Sequence, residues 1–358
     1  MAVARRTRVV KVKASSNYKI TISSDLFAYS AATIRENSVA IISDDIVFGL
    51  YGESLKHELL KQGKTVNCFQ ISAGENSKSF ESYKLLLSKL AESGLDRSSA
   101  IIALGGGVVG DLAGFVAASY MRGIAFYQMP TTLLAMVDAS IGGKTAINIK
   151  AGKNLVGAFW QPQEVFINVD FLKSLSLRAF KQGAVEHFKH GLIASKAIIK
   201  DIYNEEFKPE GATYFLIDTI TKSVAVKAAI VSDDEREQGK RAFLNYGHNI
   251  AHAIEAASNH RVTHGDAVAY GLLFDAYLGY KRGYEDLRFE AIKFLEWIEP
   301  AKIDFELNEL EPYLATDKKT KSNVQHFVLL KSLEKPIIVN DISRAELASA
   351  WQFVRDTK

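Results

Sequence analysis

Five apolar residues, Ala100-Ile-Ile-Ala-Leu104, run straight into Gly105-Gly106-Gly107 and then into Val108-Val109-Gly110-Asp111. A short apolar run ahead of glycines reads as a buried strand, and the spacing from Leu112 to Tyr120 predicts a helix behind the turn. A strand, a tight glycine turn and a helix together make an anion-binding corner. Backbone N–H groups can approach a phosphate closely there, and the helix N-terminus adds partial positive charge. Gly105, Gly107 and Gly110 have the G-x-G-x-x-G spacing of dinucleotide-binding turns. Asp44-Asp45 closes an earlier apolar run and is placed to hydrogen-bond ribose hydroxyls. The competing readings are a plain structural turn and, for Asp44, a simple helix cap. A second polar loop, Ala73 to Lys78, with Glu75 inside it, also follows a strand.

The same strand-then-helix order recurs through the first half. Strands are predicted at Arg8–Lys13, Ser38–Ser43, Thr65–Ile71 and Ala100–Leu104. A helix is predicted over Phe80–Ser93, where Tyr83, Leu86, Leu87 and Leu90 share a face. Alternation of this kind implies a mainly parallel sheet. From about Leu175 onward β-branched runs thin out. Amphipathic patterns at 212–233, 267–284 and 287–297 then predict helices, followed by a small hairpin at 325–330 and 336–339 and a last helix. The expected architecture is a Rossmann-like α/β parallel-sheet domain over 1–174 and a mainly α-helical domain over 175–358.

Composition excludes several classes. Hydrophobic residues make up 47% and charged residues 24%, ordinary for a globular chain. No run of about 18 apolar residues is present to span a membrane, and the basic N-terminus lacks the apolar centre of a signal peptide. The single cysteine, Cys68, allows no internal disulfide and suits a reducing cytoplasm. With 44 basic against 41 acidic residues, the charge gives no reason to expect a nucleic-acid partner.

Two segments carry chemistry. Val137 to Asn154 gathers Asp138, Lys144, Asn148, Lys150, Lys153 and Asn154 among glycines. Ammonium groups there suit a phosphate, and amides suit hydroxyls. Apolar sequence on both sides makes a merely solvated surface loop the weaker reading. In the segment 241–255, Arg241, Asn245, His248, His252 and Glu255 fall on one face wherever the chain is helical, and Ile250, Ala251, Ala253 and Ile254 can pack as core. His264 follows. Five of the eight histidines lie in two clusters, His187/His190 and His248/His252/His264, and Glu186 and Lys189 flank the first. One carboxylate with two or three imidazoles suits a divalent ion such as Zn²⁺ or Co²⁺ with positions left open for substrate. The residues together point to a two-domain, NAD- and metal-dependent enzyme acting on a hydroxylated anion, with alcohol oxidation as its opening chemistry.

The chain resembles the 3-dehydroquinate synthases of the sugar phosphate cyclase superfamily over nearly its whole length. The resemblance rests on 105–115, Tyr120-Met-Arg-Gly123, Pro130-Thr-Thr-Leu-Leu134, Val137-Asp138, Gly142-Gly-Lys144 and Gly152-Lys-Asn154. It continues through Glu186-x-x-Lys189, Asp234-Glu-Arg-Glu237, Leu244-Asn-x-Gly-His248, His252-Ala-x-Glu255, His264-Gly265 and Asp317-Lys-Lys319. It implies a dehydroquinate synthase-like fold and the conversion of 3-deoxy-D-arabino-heptulosonate 7-phosphate to 3-dehydroquinate and phosphate in the shikimate pathway. NAD⁺ would be regenerated at each turnover.

By the same resemblance Glu186, His248 and His264 would hold the metal, and His252 would move a proton near the substrate C5 hydroxyl. Lys144, Lys189, Arg241, Asn245, Asp138 and Lys227 would hold substrate, with Asn154 and Lys319 on its phosphate. Arg122 would reach a neighbouring subunit's site in a homodimer. NAD would meet Asp44, Glu75, Lys78, Gly107, Val108, Val109, Gly110, Asp111, Thr131, Thr132, Lys144 and Lys153. Four departures stand out. The family's Gly-His-Thr-x-Gly-His reads Gly247-His248-Asn249-Ile250-Ala251-His252 here, and its His-Gly-Glu ends in Asp266. Lys150 replaces a frequent proline, and His190 a common tyrosine. Asp266 would therefore be a shortened carboxylate beside the metal ligands. The alternatives within the fold are a sister sugar phosphate cyclase and an NAD- and metal-dependent polyol dehydrogenase; the phosphate-suited cations argue against the dehydrogenase.

Overall fold

The computed structural model describes residues 6–316 and 326–357. Two compact units divide the chain, Met1–Phe180 with Glu205–Glu235 and Lys181–Asn204 with Arg236–Lys358. The first unit runs β1 (Arg8–Val12), β2 (Tyr18–Ser23), α1 (Phe27–Thr33), β3 (Ser38–Asp44), α2 (Asp45–Val47), α3 (Glu53–Lys61) and β4 (Thr65–Ile71). It continues through α4 (Phe80–Glu92), β5 (Ala100–Gly105), α5 (Gly107–Ser119), β6 (Ala125–Pro130), β7 (Lys144–Ile149), β8 (Gly152–Phe159) and β9 (Glu164–Asn168). The chain enters the second unit within α6 (Leu177–Ala194), continues through α7 (Lys196–Ile202), and returns to the first with α8 (Thr213–Asp233). The second unit then holds α9 (His248–Ala257), α10 (His264–Lys281), α11 (Arg288–Ile298), α12 (Leu307–Thr316), β10 (Phe327–Leu330), β11 (Pro336–Val339) and α13 (Arg344–Asp356). Among the described residues no helix is long and apolar enough to cross a membrane.

The sheet order is β1-β2-β9-β6-β5-β3-β4. Only the β1–β2 pair is antiparallel; the other pairs are parallel. The apolar runs explain the placement. β5 is buried along its whole length and β3 through its centre, as strands covered on both faces must be. β1, exposed along most of its length, is an edge. β3 leads outward to β4, and β5 starts again on the other side of β3, so the order reverses between β3 and β5. Carboxyl ends of strands at such a reversal are where α/β sheets bind ligands. The registers align the two ends: Ser43 pairs with Leu104, and the Ser43 hydroxyl donates to the Leu104 carbonyl at 2.7 Å. Ile101, Leu112, Val116 and Phe126 are wholly buried in this core, each worth about 1.5–3 kcal/mol of burial.

Three sequence expectations are revised. The glycine turn is shorter than expected, because α5 starts at Gly107 rather than near Leu112. Glycines in its first turns are tolerated because the helix lies close on the sheet. A Cβ on Gly110 would come 2.7 Å from the Gln128 side-chain oxygen, and one on Gly114 would come 2.4 Å from the Thr145 methyl. The lysine- and asparagine-rich segment is no irregular loop but the antiparallel hairpin β7–β8. The stripe from Arg241 to Glu255 is not one helix. Lys240–Asn245 forms a 3₁₀ turn, Gly247 takes a left-handed conformation at φ +81°, and α9 begins only at His248.

The last helix shows how locally a terminus can be fixed. The Ser343 hydroxyl accepts from the Glu346 amide at 3.3 Å, and the Glu346 carboxylate accepts from the Ser343 amide at 2.8 Å. Arg282 also donates to Glu346 at 2.8 Å. This Arg282 bond, and then the Ser343 donors, overcome modest burial and hold the Glu346 carboxyl down at about 2. A depressed carboxyl stabilises the fold above its unfolded value and loses that contribution as pH falls through its folded value. Glu346→Gln should therefore lower unfolding free energy by about 0.5–2 kcal/mol at neutral pH. The gap to the unaltered chain should close as pH is lowered from 4.5 toward about 2. Denaturant titrations across that range read this directly, and a pH-independent gap would contradict it.

Candidate active site

In the second unit, α6, α9 and α10 each carry one residue of a buried charged cluster. Glu186 is 1% exposed, His248 8%. Among the described residues, no hydrogen bond of normal geometry reaches either carboxylate oxygen of Glu186. Lys189, one helical turn on and equally buried, forms an ion pair with it. The Nε2 atoms of His248 and His264 both lie 3.4 Å from the same Glu186 oxygen. Their Nδ1 atoms are tied back. His248 Nδ1 is 3.0 Å from the Tyr246 carbonyl, and His264 Nδ1 is 3.3 Å from the Glu255 carboxylate. Both partners only accept, so Nδ1 carries the proton in each ring and Nε2 is the free donor atom turned inward. Ligand atoms of Glu186, His248 and His264 lie within 4.8 Å of one another. A buried carboxylate short of donors, faced by two inward Nε2 atoms, fits a divalent cation.

With no ion present, the charges of the cluster compensate one another. Burial would raise the Glu186 carboxyl, but Lys189, then His248 and His264, hold it well below the usual range. Burial first, and Lys189 second, push His248 down to about 4. Burial also opposes charge on His264, yet its two carboxylate neighbours, Glu186 and Glu255, bring it up to about 10.

The chain reaches this arrangement through close helix contacts. A Cβ on Gly271 would fall 1.8 Å from the Gly247 carbonyl, so α10 can approach the start of α9 only with glycine there. The Gly247 amide donates to buried Asp275 of α10 at 2.7 Å. Gln182 of α6 grips the start of α10: its carbonyl accepts from the Thr263 hydroxyl at 2.6 Å, and its amide donates to Asp266 at 2.8 Å. Asp266 thus meets Gln182, and the carboxylate found behind His264 is Glu255. Sequence reasoning assigned no role to Gln182 or Asp275, because nothing in local spacing links residues 81 or 28 positions apart. His252 stands one turn beyond His248 with ring centroids 5.6 Å apart. Arg241 is buried, and Asn245 donates to Glu237 at 2.7 Å.

The first unit builds a second constellation. The Lys78 ammonium, buried, donates to Asp111 and to Asn154, each at 2.5 Å. Asn148 donates to Glu75 at 2.7 Å and accepts from the Asn154 amide at 3.0 Å, which fastens the 73–78 loop to hairpin β7–β8. Asn154 itself sits at φ +54°. Gly107, Val108, Val109 and Gly110 form the first turn of α5, and a Cβ on Gly106 would press on Thr132 at 3.3 Å. The Thr131 amide donates to the Gly105 carbonyl at 3.0 Å. Lys227 donates to the backbone and side chain of Asp138, the latter at 2.7 Å. Lys144 opens β7, exposed, and Lys153 lies on β8. Asp44 accepts from the Val47 amide at 2.8 Å, which makes it a helix cap in this structure. Arg122 is exposed at φ +69°. Lys319 lies outside the described residues.

Two family profiles match the chain, 3-dehydroquinate synthase N-terminal over 68–182 and 3-dehydroquinate synthase C-terminal over 183–320. The chain belongs to the 3-dehydroquinate synthase family. A 3-dehydroquinate synthase of Symbiobacterium thermophilum is 40% identical over 338 residues, 91% of this chain and 94% of that protein. One of Bacillus pumilus is 43% identical, covering 83% of each. Among solved structures, a 2-epi-5-epi-valiolone synthase from Streptomyces hygroscopicus with NAD⁺ and Zn²⁺ bound superposes with a TM-score of 0.89 at 24% identity, over 98% of this chain and 100% of that one. A 2-deoxy-scyllo-inosose synthase complexed with carbaglucose-6-phosphate, NAD⁺ and Co²⁺ gives 0.85 at 24% identity, with the same coverage. The likeness in fold agrees with the expected α/β sheet unit and helical second part of a dehydroquinate synthase.

The buried Lys78 links three segments of this family member's first unit, and removing it should be felt as stability. Burial pushes the Asp111 carboxyl up, and Lys78 is the main opposing influence. Lys78→Met should therefore destabilise by about 1–3 kcal/mol at neutral pH, leaving a partly buried carboxylate without its cation. Acid should narrow that loss, since a protonated Asp111 no longer needs the ammonium. Urea unfolding midpoints at neutral and acidic pH check both parts; a loss that does not shrink on acidification would refute the pairing as its cause.

Proposed function

We propose that this chain converts 3-deoxy-D-arabino-heptulosonate 7-phosphate to 3-dehydroquinate and phosphate with the residues described above. The observation that carries the reading is the convergence of the His248 and His264 Nε2 atoms on buried Glu186. These three would hold Zn²⁺ or Co²⁺. When bound, the ion would supply Lewis-acid polarisation of a substrate hydroxyl, and NAD⁺ would supply a reversible hydride acceptor.

The remaining work falls to side chains of the chain itself. His252, beside His248, moves the proton of the alcohol undergoing oxidation. Lys189, Arg241 and Asn245 of the second unit orient the substrate, and Lys319 meets its phosphate. In the first unit Lys144, Asp138 and Lys227 position substrate hydroxyl and carboxyl groups, and Asn154 contacts phosphate. The α5 turn from Gly107 to Asp111, with Glu75, Lys78, Thr131, Thr132 and Lys153, would bind the dinucleotide; Asp44 is assigned to its ribose. On this reading nucleotide binding belongs to 1–174 and metal binding to 175–358.

A homodimer in the cytoplasm completes the proposal. Leu155, Val156 and Phe159 of β8 and Met121 beside Arg122 are exposed apolar side chains. An exposed apolar strand is a surface that proteins usually cover. Sedimentation equilibrium tests the dimer, and a monomer at all concentrations would remove Arg122 from a partner's site.

The decisive experiment supplies the heptulosonate phosphate, one equivalent of NAD⁺ per site and Co²⁺ or Zn²⁺. We expect many turnovers, equal amounts of phosphate and 3-dehydroquinate, and no net NADH. A chelator should abolish turnover and either metal should restore it. NADH accumulating with product would favour a polyol dehydrogenase, and turnover of another sugar phosphate alone would favour a sister cyclase.

His252→Ala separates the proton role from the ligand role. It should lose about 10²–10⁴-fold in rate while keeping bound metal, whereas His248→Ala should lose the metal as well. Normal turnover by folded His252→Ala, or loss of its metal, would defeat the assignment.

A further inference from the structure

The two imidazoles at the cluster are steadied in different ways. The Nδ1 proton of His248 is given to a backbone carbonyl, that of Tyr246, at 3.0 Å. The Nδ1 proton of His264 is directed at a side chain, the Glu255 carboxylate, at 3.3 Å. Glu255 is 7% exposed, on the last turn of α9, and His264 is the first residue of α10. Between them the chain makes a tight reversal. Ser258 donates its hydroxyl to the Glu255 carbonyl at 2.9 Å, and the His260 amide donates to the same carbonyl at 2.7 Å. Asn259 and His260 both take positive φ, 49° and 59°. The backbone of Glu255 is thus held from two sides where its side chain must face His264.

We propose that Glu255 is a positioning residue, acting on the metal through His264. A carboxylate accepting the distal N–H of a ligand imidazole fixes its tautomer and ring orientation and makes the other nitrogen a stronger donor. His264 needs such a partner more than His248 does. It is a third exposed, against a tenth for His248. It also stands at a helix N-terminus, where no preceding turn of α10 can crowd its ring. Asp266, the carboxylate nearest in sequence, has its Oδ1 bonded to the Gln182 amide. The inference rests on Glu186, His248 and His264 being the metal ligands.

The test reads Co²⁺ affinity and visible absorption on the metal-stripped full chain, with inorganic Co²⁺ as probe and no substrate present. Glu255→Ala should weaken Co²⁺ about 10–100-fold and change the d–d absorption envelope. Glu255→Gln keeps an acceptor for the Nδ1 proton but removes the charge, so its affinity should fall between the two. In a His264→Ala background, Glu255→Ala should have no further effect on affinity, which a general packing role would not predict. Where Glu255→Ala does not fold, the glutamine variant decides: affinity and absorption equal to the unaltered chain overturn the inference. Full affinity in folded Glu255→Ala, or additive losses in the double variant, overturn it too. Absence of Co²⁺ binding by the unaltered chain would instead overturn the metal reading itself, and this inference with it.

Discussion

A carboxylate sealed from water stays ionised only when cations or donors replace its hydration. Glu186 is such a group, and the second unit is arranged around it. Lys189 sits one turn away on the same helix, so it is supplied by sequence spacing alone. The two imidazoles come from helices whose approach depends on Gly271 and on the left-handed Gly247. Ordinary side chains at either position would push α9 and α10 apart and leave Glu186 with one cation. The same carboxylate that would be costly in an apolar core is thereby turned into the organising charge of the proposed ligand set.

The first unit solves a different problem with the same economy of side chains. Its helix α5 must lie close to the sheet and still open with backbone N–H groups exposed. Gly110 and Gly114 serve the first need, because Gln128, Phe126 and Thr145 fill the space a side chain would take. On the proposed reading, Gly106 and Gly107 serve the second. The glycine pattern therefore encodes helix–sheet packing as much as ligand approach, and the two demands fall on neighbouring residues. Lys78 then draws the end of one loop, the start of α5 and the tip of a hairpin to one ammonium.

Much of the fold was legible because it follows from short-range pattern. The strand runs of β3, β4 and β5 and the amphipathic spacing of α4, α8 and α11 lie where the sequence pattern predicts them, to within a residue or so at each end. Periodicity failed where a break was needed. The stripe from Arg241 to Glu255 reads as one helical face, but a left-handed glycine interrupts it, so Arg241 and Asn245 belong to a 3₁₀ turn ahead of α9. Asp44 carried two readings; the structure shows the capping bond from the Val47 amide, and the ribose role is kept as a proposal. The polar segment from Val137 to Asn154 reads as a loop because its alternation is diluted by glycine and asparagine, yet cross-strand pairing joins Lys144–Ile149 to Gly152–Phe159 as a hairpin.

By itself the sequence determined which chemistry is present: the glycine turn after a buried strand, the carboxylate and imidazoles in separate helical segments, and the motifs that mark the family. Residue type and local spacing carry that information, since they depend only on the backbone period. Tertiary structure alone decided how those groups are used. It placed both Nε2 atoms on one Glu186 oxygen, put Glu255 rather than Asp266 behind His264, and bonded Asp275 to the Gly247 amide. Those pairings join residues far apart in the chain, and what selects them is the distance at which two helices can pack, a property no local stretch of sequence contains.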